Sequence, residues 1–203
     1  MNNKMNNPES KSVAIIGGGV IGMSTAFHLA EKGVSKITVI DKGNIGGGSS
    51  LQAAGIVTSL EWNETAIRAR LKTLDNFERF SRILNGYSFH QVGCVNLSSE
   101  EGYIEGKELR DLQIRLGSKV EVLQGKELTN RFSDVIASPD EFGILDLRGG
   151  YSEPHRYVPA LHNKIKDMGV QIREYEEVVD FDLQGAEIKG LVTRSSLNQN
   201  ETK

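Results

Sequence analysis

The sequence contains a single cysteine, Cys94, among its 203 residues. One cysteine cannot form a disulfide within the chain or a metal site built from several thiolates. No uninterrupted apolar segment approaches the roughly 20 residues that a membrane-spanning helix needs. Basic residues are not in excess, because 27 acidic side chains outnumber 24 basic ones and give a formal net charge of −3. We therefore expect no internal disulfide, no bound metal, no integral membrane segment and no nucleic-acid surface.

The remaining composition is that of a globular protein. Hydrophobic residues make up 38% of the chain, and 22 glycines are also present. This length allows one large domain or two small ones. Residues 1–11 are polar and rich in asparagine, which predicts a disordered leader, and Met5 is an alternative start. Without a recognisable targeting signal, we expect a cytoplasmic protein.

The most informative stretch is a strand–turn–helix–strand pattern near the start of the chain. Residues 12–16 form a short β-branched apolar run, which predicts a fully buried parallel strand. Residues 17–22 read G-G-G-V-I-G, and residues 23–32 are typical of a helix. A second apolar run, 36–40, ends on Asp41. The alternative is a glycine-rich turn that binds no ligand. Such a turn would need neither the flanking strands and helix nor the acidic residue Asp41, and this sequence has them all.

Each glycine of this G-x-G-x-x-G pattern has a separate physical role. Gly17 permits a tight turn, Gly19 lets a pyrophosphate approach the backbone, and Gly22 lets the helix pack close to the strand. The free N–H groups at the helix start favour an anion. Asp41 lies about 20 residues after the last glycine, where an acid accepts hydrogen bonds from a ribose. The stretch therefore predicts a dinucleotide-binding βαβ unit.

Later segments predict an interruption of this α/β fold. Residues 61–149 combine an amphipathic helix with short strands and helices that lack a βαβ rhythm, which indicates an inserted α+β segment. Residues 12–60 and 150–194 then form the two parts of the nucleotide-binding domain, and the second part adds a third parallel strand and a hairpin. We predict that residues 195–203 are a frayed tail.

Several motifs together resemble the FAD-dependent amine and amino-acid oxidases, a family that includes glycine oxidase, sarcosine oxidase and D-amino-acid oxidase. The matching stretches are residues 14–22, 41–42, 46–50, 53–56 and 150–154. The resemblance implies a Rossmann-like FAD-binding domain with a parallel sheet and an inserted substrate-domain segment. It extends over residues 12–191 and covers only the first half of a typical member, so the chain looks truncated.

The resemblance also implies which residues would bind non-covalent FAD. Gln52 stands where some relatives carry the histidine that links the flavin covalently, which is why we expect a non-covalent cofactor. The expected contacts are Gly17, Gly19, Val20, Ile21 and Gly22 with the pyrophosphate, Asp41 and Lys42 with the adenosine, Ser49 and Ser50 with the phosphate and ribityl groups, Ala54, Gly55 and Ile56 with the isoalloxazine, and the Val178 backbone with the adenine.

The activity implied by the resemblance is oxidation of the C–N bond of a small amine or amino acid. A hydride would pass to the flavin, and oxygen or another acceptor would reoxidise it. Two alternatives are an incomplete, non-catalytic nucleotide-binding fragment and a nicotinamide-dependent dehydrogenase. No catalytic residue is assigned, and we interpret His90 and His155 as structural or surface residues. The sequence indicates no oligomeric state.

Overall fold

The computed structural model describes residues 12–197 and the backbone of residues 201 and 202, so the predicted leader lies outside the described residues. The described residues divide into two units, one formed by residues 12–53 together with those from Pro154 onward, the other by residues 54–153. We predicted boundaries at 60/61 and 149/150. The second unit also includes residues 54–60 and 150–153 because their strands pair with each other.

Helices and strands are present along the whole described chain but do not alternate strictly. The elements are β1 (Ser12–Ile16), α1 (Val20–Glu31), β2 (Lys36–Ile40), β3 (Ile56–Val57), α2 (Glu64–Ile83), β4 (Phe89–His90), β5 (Cys94–Ser98), α3 (Glu100–Glu105), α4 (Lys107–Leu116), β6 (Val120–Gln124), α5 (Lys126–Arg131), β7 (Phe142–Asp146), β8 (Gly150–Ser152), α6 (Pro154–Asp167), β9 (Gln171–Arg173), β10 (Glu176–Gln184), β11 (Glu187–Ser195) and β12 (Glu201–Thr202).

The first unit contains a parallel sheet with the strand order β1-β2-β9. Helices α1 and α6 pack against each other and supply fully buried side chains, including Met23, Phe27, Leu161 and Ile165. The βαβ opening and the third parallel strand confirm the predicted α/β, Rossmann-like architecture. These elements bring the glycine turn after β1 next to the carboxyl end of β2.

The prediction that β1 is fully buried was wrong. Its residues alternate between exposed and half-buried, and Ile16 is 55% exposed. Among the described residues β1 is an edge strand, because only β2 pairs with it. An apolar run shows that a strand prefers burial, but burial also requires neighbours on both sides and a cover on both faces.

A second sheet in the first unit is antiparallel and has the order β10-β11-β12. The β10–β11 hairpin turns at Gly185, which has a positive φ of 63°. The prediction that residues 195–203 form a frayed tail was wrong for two short segments. Ser195 belongs to β11, and Glu201–Thr202 pairs with Thr193 and Arg194. Residues 198–200 and 203 lie outside the described residues.

The second unit is α+β, with two antiparallel sheets of order β3-β8-β4 and β5-β7-β6. Helix α2 begins at an N-cap, Asn63, whose side chain accepts a hydrogen bond from the Ala66 amide at 3.0 Å. A core cluster forms where α5 packs on the second sheet, with Leu123, Leu128 and Leu145 buried. Within the described ranges, no helix combines the length and apolar character that a membrane span needs.

Candidate functional site

The glycine turn between β1 and α1 is fastened to the neighbouring strand. Gly17 has a positive φ of 100°, and its amide donates to the Ile40 carbonyl at 2.8 Å. A Cβ at Gly22 would lie 1.9 Å from the Gly17 carbonyl oxygen and 3.3 Å from Ile15 Cγ2. Since atoms cannot approach so closely, only glycine at this position lets α1 start directly against the turn and β1.

The start of α1 presents unpaired amides. Met23 is the first helix residue whose amide bonds back to the turn, donating to the Gly19 carbonyl at 2.9 Å. Among the described residues, the Ile21 and Gly22 amides have no hydrogen-bond acceptor. The first turn of α1 also contains no acidic side chain that would compete for them. The helix start therefore offers N–H donors and a positive dipole end to an anion.

Ser50 lies beside this helix start, although it is 30 residues further along the chain. Its Oγ accepts a hydrogen bond from the Val20 amide at 3.0 Å. A Cβ at Gly19 would lie only 3.1 Å from the same Oγ, so a larger residue there would crowd both the serine and an approaching ligand. The hydroxyl hydrogen of Ser50 stays available to donate. Its neighbour Ser49 is exposed.

The segment around Ser50 is folded into turns. The Gly47 amide donates to the Asn44 carbonyl, and the Gly46 amide donates to the Gly18 carbonyl at 2.9 Å. Gly46 has a positive φ of 74°, and a Cβ there would meet Val158 Cγ1 at 2.2 Å. The small residues therefore serve close packing inside the first unit.

Asp41 binds the glycine turn with one carboxylate oxygen and the loop after β2 with the other. Oδ2 accepts from the Gly18 amide at 2.7 Å, and Oδ1 accepts from the Gly43 amide at 2.8 Å. Each oxygen keeps a further lone pair for a ribose hydroxyl. The structure thus adds a positioning role to the ligand contact that we predicted for Asp41. The side chain of the adjacent Lys42 is exposed.

Residues just after β9 hold the loop after Asp41, and sequence reasoning missed them. Glu174 Oε1 accepts from the Ile45 amide at 2.8 Å, and the Tyr175 amide donates to the Gly43 carbonyl at 3.0 Å. An acid directly after a parallel strand was the available signal, because carboxyl ends of parallel strands meet at one edge. Burial lowers the pKa of the nearby His162, and the Glu174 carboxylate opposes that shift.

The other predicted contacts are more widely distributed. Val178 is half-buried in β10, opposite Thr193 in β11, and the strand is irregular directly after it. Ala54, Gly55 and Ile56 belong to the second unit. There the Gly55 carbonyl accepts from the Ser152 amide at 2.8 Å. The structure therefore unites the glycine turn, Asp41 and Ser50 in one unit and places residues 54–56 in the other.

The first-unit site has the chemistry that a pyrophosphate and its ribose require. Amides at the start of α1 and the Ser50 hydroxyl can donate to phosphate oxygens, and the Asp41 carboxylate can accept from ribose hydroxyls. In the described part of the chain, no group of three or more His, Cys, Asp and Glu side chains could hold a metal ion. The donors at the start of α1, the Ser50 hydroxyl and the Asp41 carboxylate fit the pyrophosphate and ribose of a dinucleotide.

Comparison with known proteins identifies the group to which the chain is similar. The family model described as "DAO: FAD dependent oxidoreductase" matches residues 12–202. Mitochondrial dimethylglycine dehydrogenase of Rattus norvegicus is 31% identical over 171 residues, which is 82% of this chain and 20% of that protein. Peroxisomal sarcosine oxidase of Homo sapiens is 27% identical over 173 residues, or 83% and 43% of the two chains.

Solved structures with the same fold include L-proline dehydrogenase from P. horikoshii. It superposes with a TM-score of 0.85 at 26% identity and covers 97% of this chain and 51% of its own. Glycine oxidase from Bacillus cereus has a TM-score of 0.74 at 24% identity, covering 90% and 51%. The chain thus spans about half the length of these solved relatives. The family match over residues 12–202 confirms the resemblance in its motifs, and this chain belongs to the family of FAD-dependent oxidoreductases.

Proposed function

We propose that this chain is the FAD-binding part of an oxidoreductase that oxidises the C–N bond of a small amine or amino acid. The observation that supports this most directly is the anion site at the start of α1, where unpaired amides lie beside Ser50 and the Asp41-bound glycine turn. The names of the four relatives reported above contain the compounds dimethylglycine, sarcosine, glycine and L-proline. All four compounds carry an amine nitrogen next to a carboxylate-bearing carbon.

The bound FAD would supply the hydride acceptor, and the chain would hold and orient it. The start of α1 and Ser50 would bind the pyrophosphate, and Asp41 would bind the adenosine ribose. Within the chain, Asp41 accepts from the Gly18 amide and Ser50 accepts from the Val20 amide. Lys42 and the Val178 backbone would contact the adenosine end, and Ser49 the phosphate and ribityl groups.

The remaining parts of the proposal concern the flavin ring. Ala54, Gly55 and Ile56 would flank the isoalloxazine. Gln52 offers no nucleophilic nitrogen of the histidine kind, so FAD stays non-covalent. Oxygen or another acceptor would reoxidise the reduced flavin.

The nicotinamide alternative has no support, because the matched family is FAD dependent. A cytoplasmic location stays a prediction.

The first experiment is the visible absorption spectrum of the purified chain after incubation with FAD and removal of free cofactor. We expect a flavin spectrum that moves to the supernatant after acid precipitation. The variant Gly19→Val should lose the flavin, since its side chain occupies the phosphate approach beside Ser50. Gly190→Val is the matched control, because a Cβ there meets its nearest atom at an ordinary 3.6 Å.

Three results would count against parts of the proposal. Flavin that stays in the acid pellet would refute non-covalent attachment. Equal flavin content in Gly19→Val and Gly190→Val would refute the site. Flavin that is bound but is not bleached by sarcosine, glycine or L-proline without oxygen would favour the non-catalytic alternative for this chain.

A further inference from the structure

The second unit contains a cavity of about 500 Å³ that none of the proposed FAD contacts lines. It lies between the β5-β7-β6 sheet and α4. Most of its wall is apolar, and two of its polar side chains, Arg110 and Gln113, are almost completely buried. The apolar residues that line it are Leu60, Trp62, Val95, Leu97, Leu109 and Ile144.

Arg110 is 8% exposed, which is unusual for a permanently charged side chain. Its guanidinium carbon lies 3.8 Å from the centroid of the Tyr103 ring, and its Nη1 donates to the Tyr103 carbonyl. The Tyr103 ring is itself stacked on Phe142 at 4.1 Å. Among the described residues, no carboxylate forms a salt bridge with Arg110. Its position is therefore set by stacking, and N–H donors of the guanidinium stay unused.

Gln113 follows Arg110 by three residues and so lies on the same side of α4. Its side chain is 4% exposed, and Nε2 donates to the Glu61 carbonyl at 3.1 Å. Its Oε1 is buried and receives no hydrogen bond from any residue that the structure describes. Most buried acceptors in proteins are paired, so this oxygen indicates a missing donor.

The charges around the cavity favour a ligand with one negative charge. Glu61 also lines the cavity, but its carboxylate is paired with Arg70 at 2.7 Å. The neighbouring Asp111 carboxylate interacts electrostatically with Arg110, but it is itself paired with Lys107 at 2.7 Å. Among the described residues Arg110 therefore has a positive charge without a salt-bridge partner, beside a mostly apolar wall. A phosphate dianion carries two negative charges, which is more than the one positive charge of Arg110 can balance. A carboxylate carries one negative charge and matches the planar fork of one guanidinium.

We propose that this cavity binds a small monocarboxylate with an apolar body and one hydrogen-bond donor. Arg110 binds the carboxylate, and the apolar wall covers the body. Oε1 of Gln113 is shielded from the cavity in this structure, so it accepts from the ligand's N–H or O–H group once the Gln113 side chain has turned into the cavity. This site is separate from the proposed FAD site, and its residues all belong to the second unit.

Trp62 allows a direct test, because it is the only tryptophan of the chain and lines the cavity with 82% of its surface exposed. Mandelate is a suitable probe, since it combines a phenyl ring, a hydroxyl and a carboxylate. Mandelamide keeps the ring and hydroxyl without the charge, and phenylacetate keeps the charge without the hydroxyl. We expect saturable changes of tryptophan emission, with mandelate binding at least about tenfold more tightly than mandelamide and phenylacetate in between.

Variants assign the binding to the cavity. Arg110→Met should abolish the mandelate response, and Arg115→Met, an exposed arginine on the same helix, should leave it unchanged. Arg110→Met also removes the stack on Tyr103, so a second pair keeps the arginine. Leu97 lines the cavity and is 59% exposed, so it tolerates polar replacement. Leu97→Glu should repel mandelate, whereas Leu97→Gln should bind it.

An equal response to mandelate and mandelamide would overturn the proposal, as would a response that does not saturate. Equal mandelate affinity in Leu97→Glu and Leu97→Gln would overturn it independently of any folding defect. FAD content, measured on the same samples, separates this site from the proposed function. Lost mandelate binding with retained flavin contradicts only the cavity proposal, and lost flavin with retained mandelate binding contradicts only the FAD site.

Discussion

Replacing Asp41 with asparagine tests whether this carboxylate builds the glycine turn as well as binding a ligand. The two amide–carboxylate hydrogen bonds measure 2.7 and 2.8 Å and reach Gly18 and Gly43. Asparagine keeps one acceptor oxygen but points an NH2 group at the other amide. Because hydrogen bonds to charged groups contribute about 1.5–3 kcal/mol, Asp41→Asn should lower the free energy of unfolding by about that amount without any ligand present.

The assay is urea unfolding of the flavin-free chain, followed by circular dichroism, with FAD affinity measured separately. A loss of about 1.5–3 kcal/mol corresponds to roughly a ten- to hundredfold change in the unfolding equilibrium. Asp180→Asn is the matched control, since Asp180 is exposed and, within the described ranges, its side chain accepts a hydrogen bond from its neighbour Phe181 alone. Equal stability of the two variants would refute the positioning role. Reduced FAD affinity at unchanged stability would leave Asp41 with a ligand contact alone.

Three further predictions concern packing, a buried carboxylate and pH. Gly22→Ala should abolish flavin binding and lower the free energy of unfolding by about 1–3 kcal/mol, because its methyl group would lie 1.9 Å from the Gly17 oxygen; unchanged flavin content would contradict this. Asp146→Ala should destabilise the second unit by about 3–5 kcal/mol, because the fully buried carboxylate accepts from the Thr58 hydroxyl, from both the amide and the hydroxyl of Ser59, and from the Arg148 amide. A thermal melt within a degree of the unmodified chain would show that these bonds contribute nothing. Burial lowers the pKa of His162 below its ordinary value of about 6.5, so the unfolded chain binds more protons and stability falls as pH decreases below about 6.5. His162→Gln should flatten this part of the stability–pH curve, and an unchanged slope would exclude the histidine as its cause.

The first βαβ unit was predictable because its determinants are local. Gly17 and Gly22 are five residues apart, and the structure gives them the predicted turn and close packing. Ser50 was predicted from the family motifs. The periodicity of the sequence could not have shown that Ser50 lies beside Val20. The burial of β1 could not be predicted in the same way. Whether Ile16 is covered depends on the neighbours of β1 in the sheet, and the residues of β1 do not specify them.

The domain boundary and the loop contacts depend on residues far apart in sequence. The Ile45 amide and Glu174 are 129 positions apart. The place of Glu174 directly after β9 was a signal, but it does not distinguish this acid from the nearby Glu176 and Glu177. Likewise, Ile56 joined the second unit because it pairs with Tyr151. The adjacent Ser59 is held there by Asp146. Patterns that are periodic along the chain reveal elements, whereas pairing between distant segments decides which unit an element joins.

The hydrogen bonds described at the proposed FAD site join residues of the first unit. Gly17 is bonded to β2, Gly18 to Asp41, Val20 to Ser50, and Ile45 to Glu174. The amides at the start of α1 are therefore held in position without a ligand. This reduces the conformational entropy that the chain loses when a ligand binds. Affinity for the pyrophosphate and ribose should follow substitutions in these contacts. Substitutions at residues 54–56, which belong to the second unit, should alter the flavin's redox behaviour more than its retention.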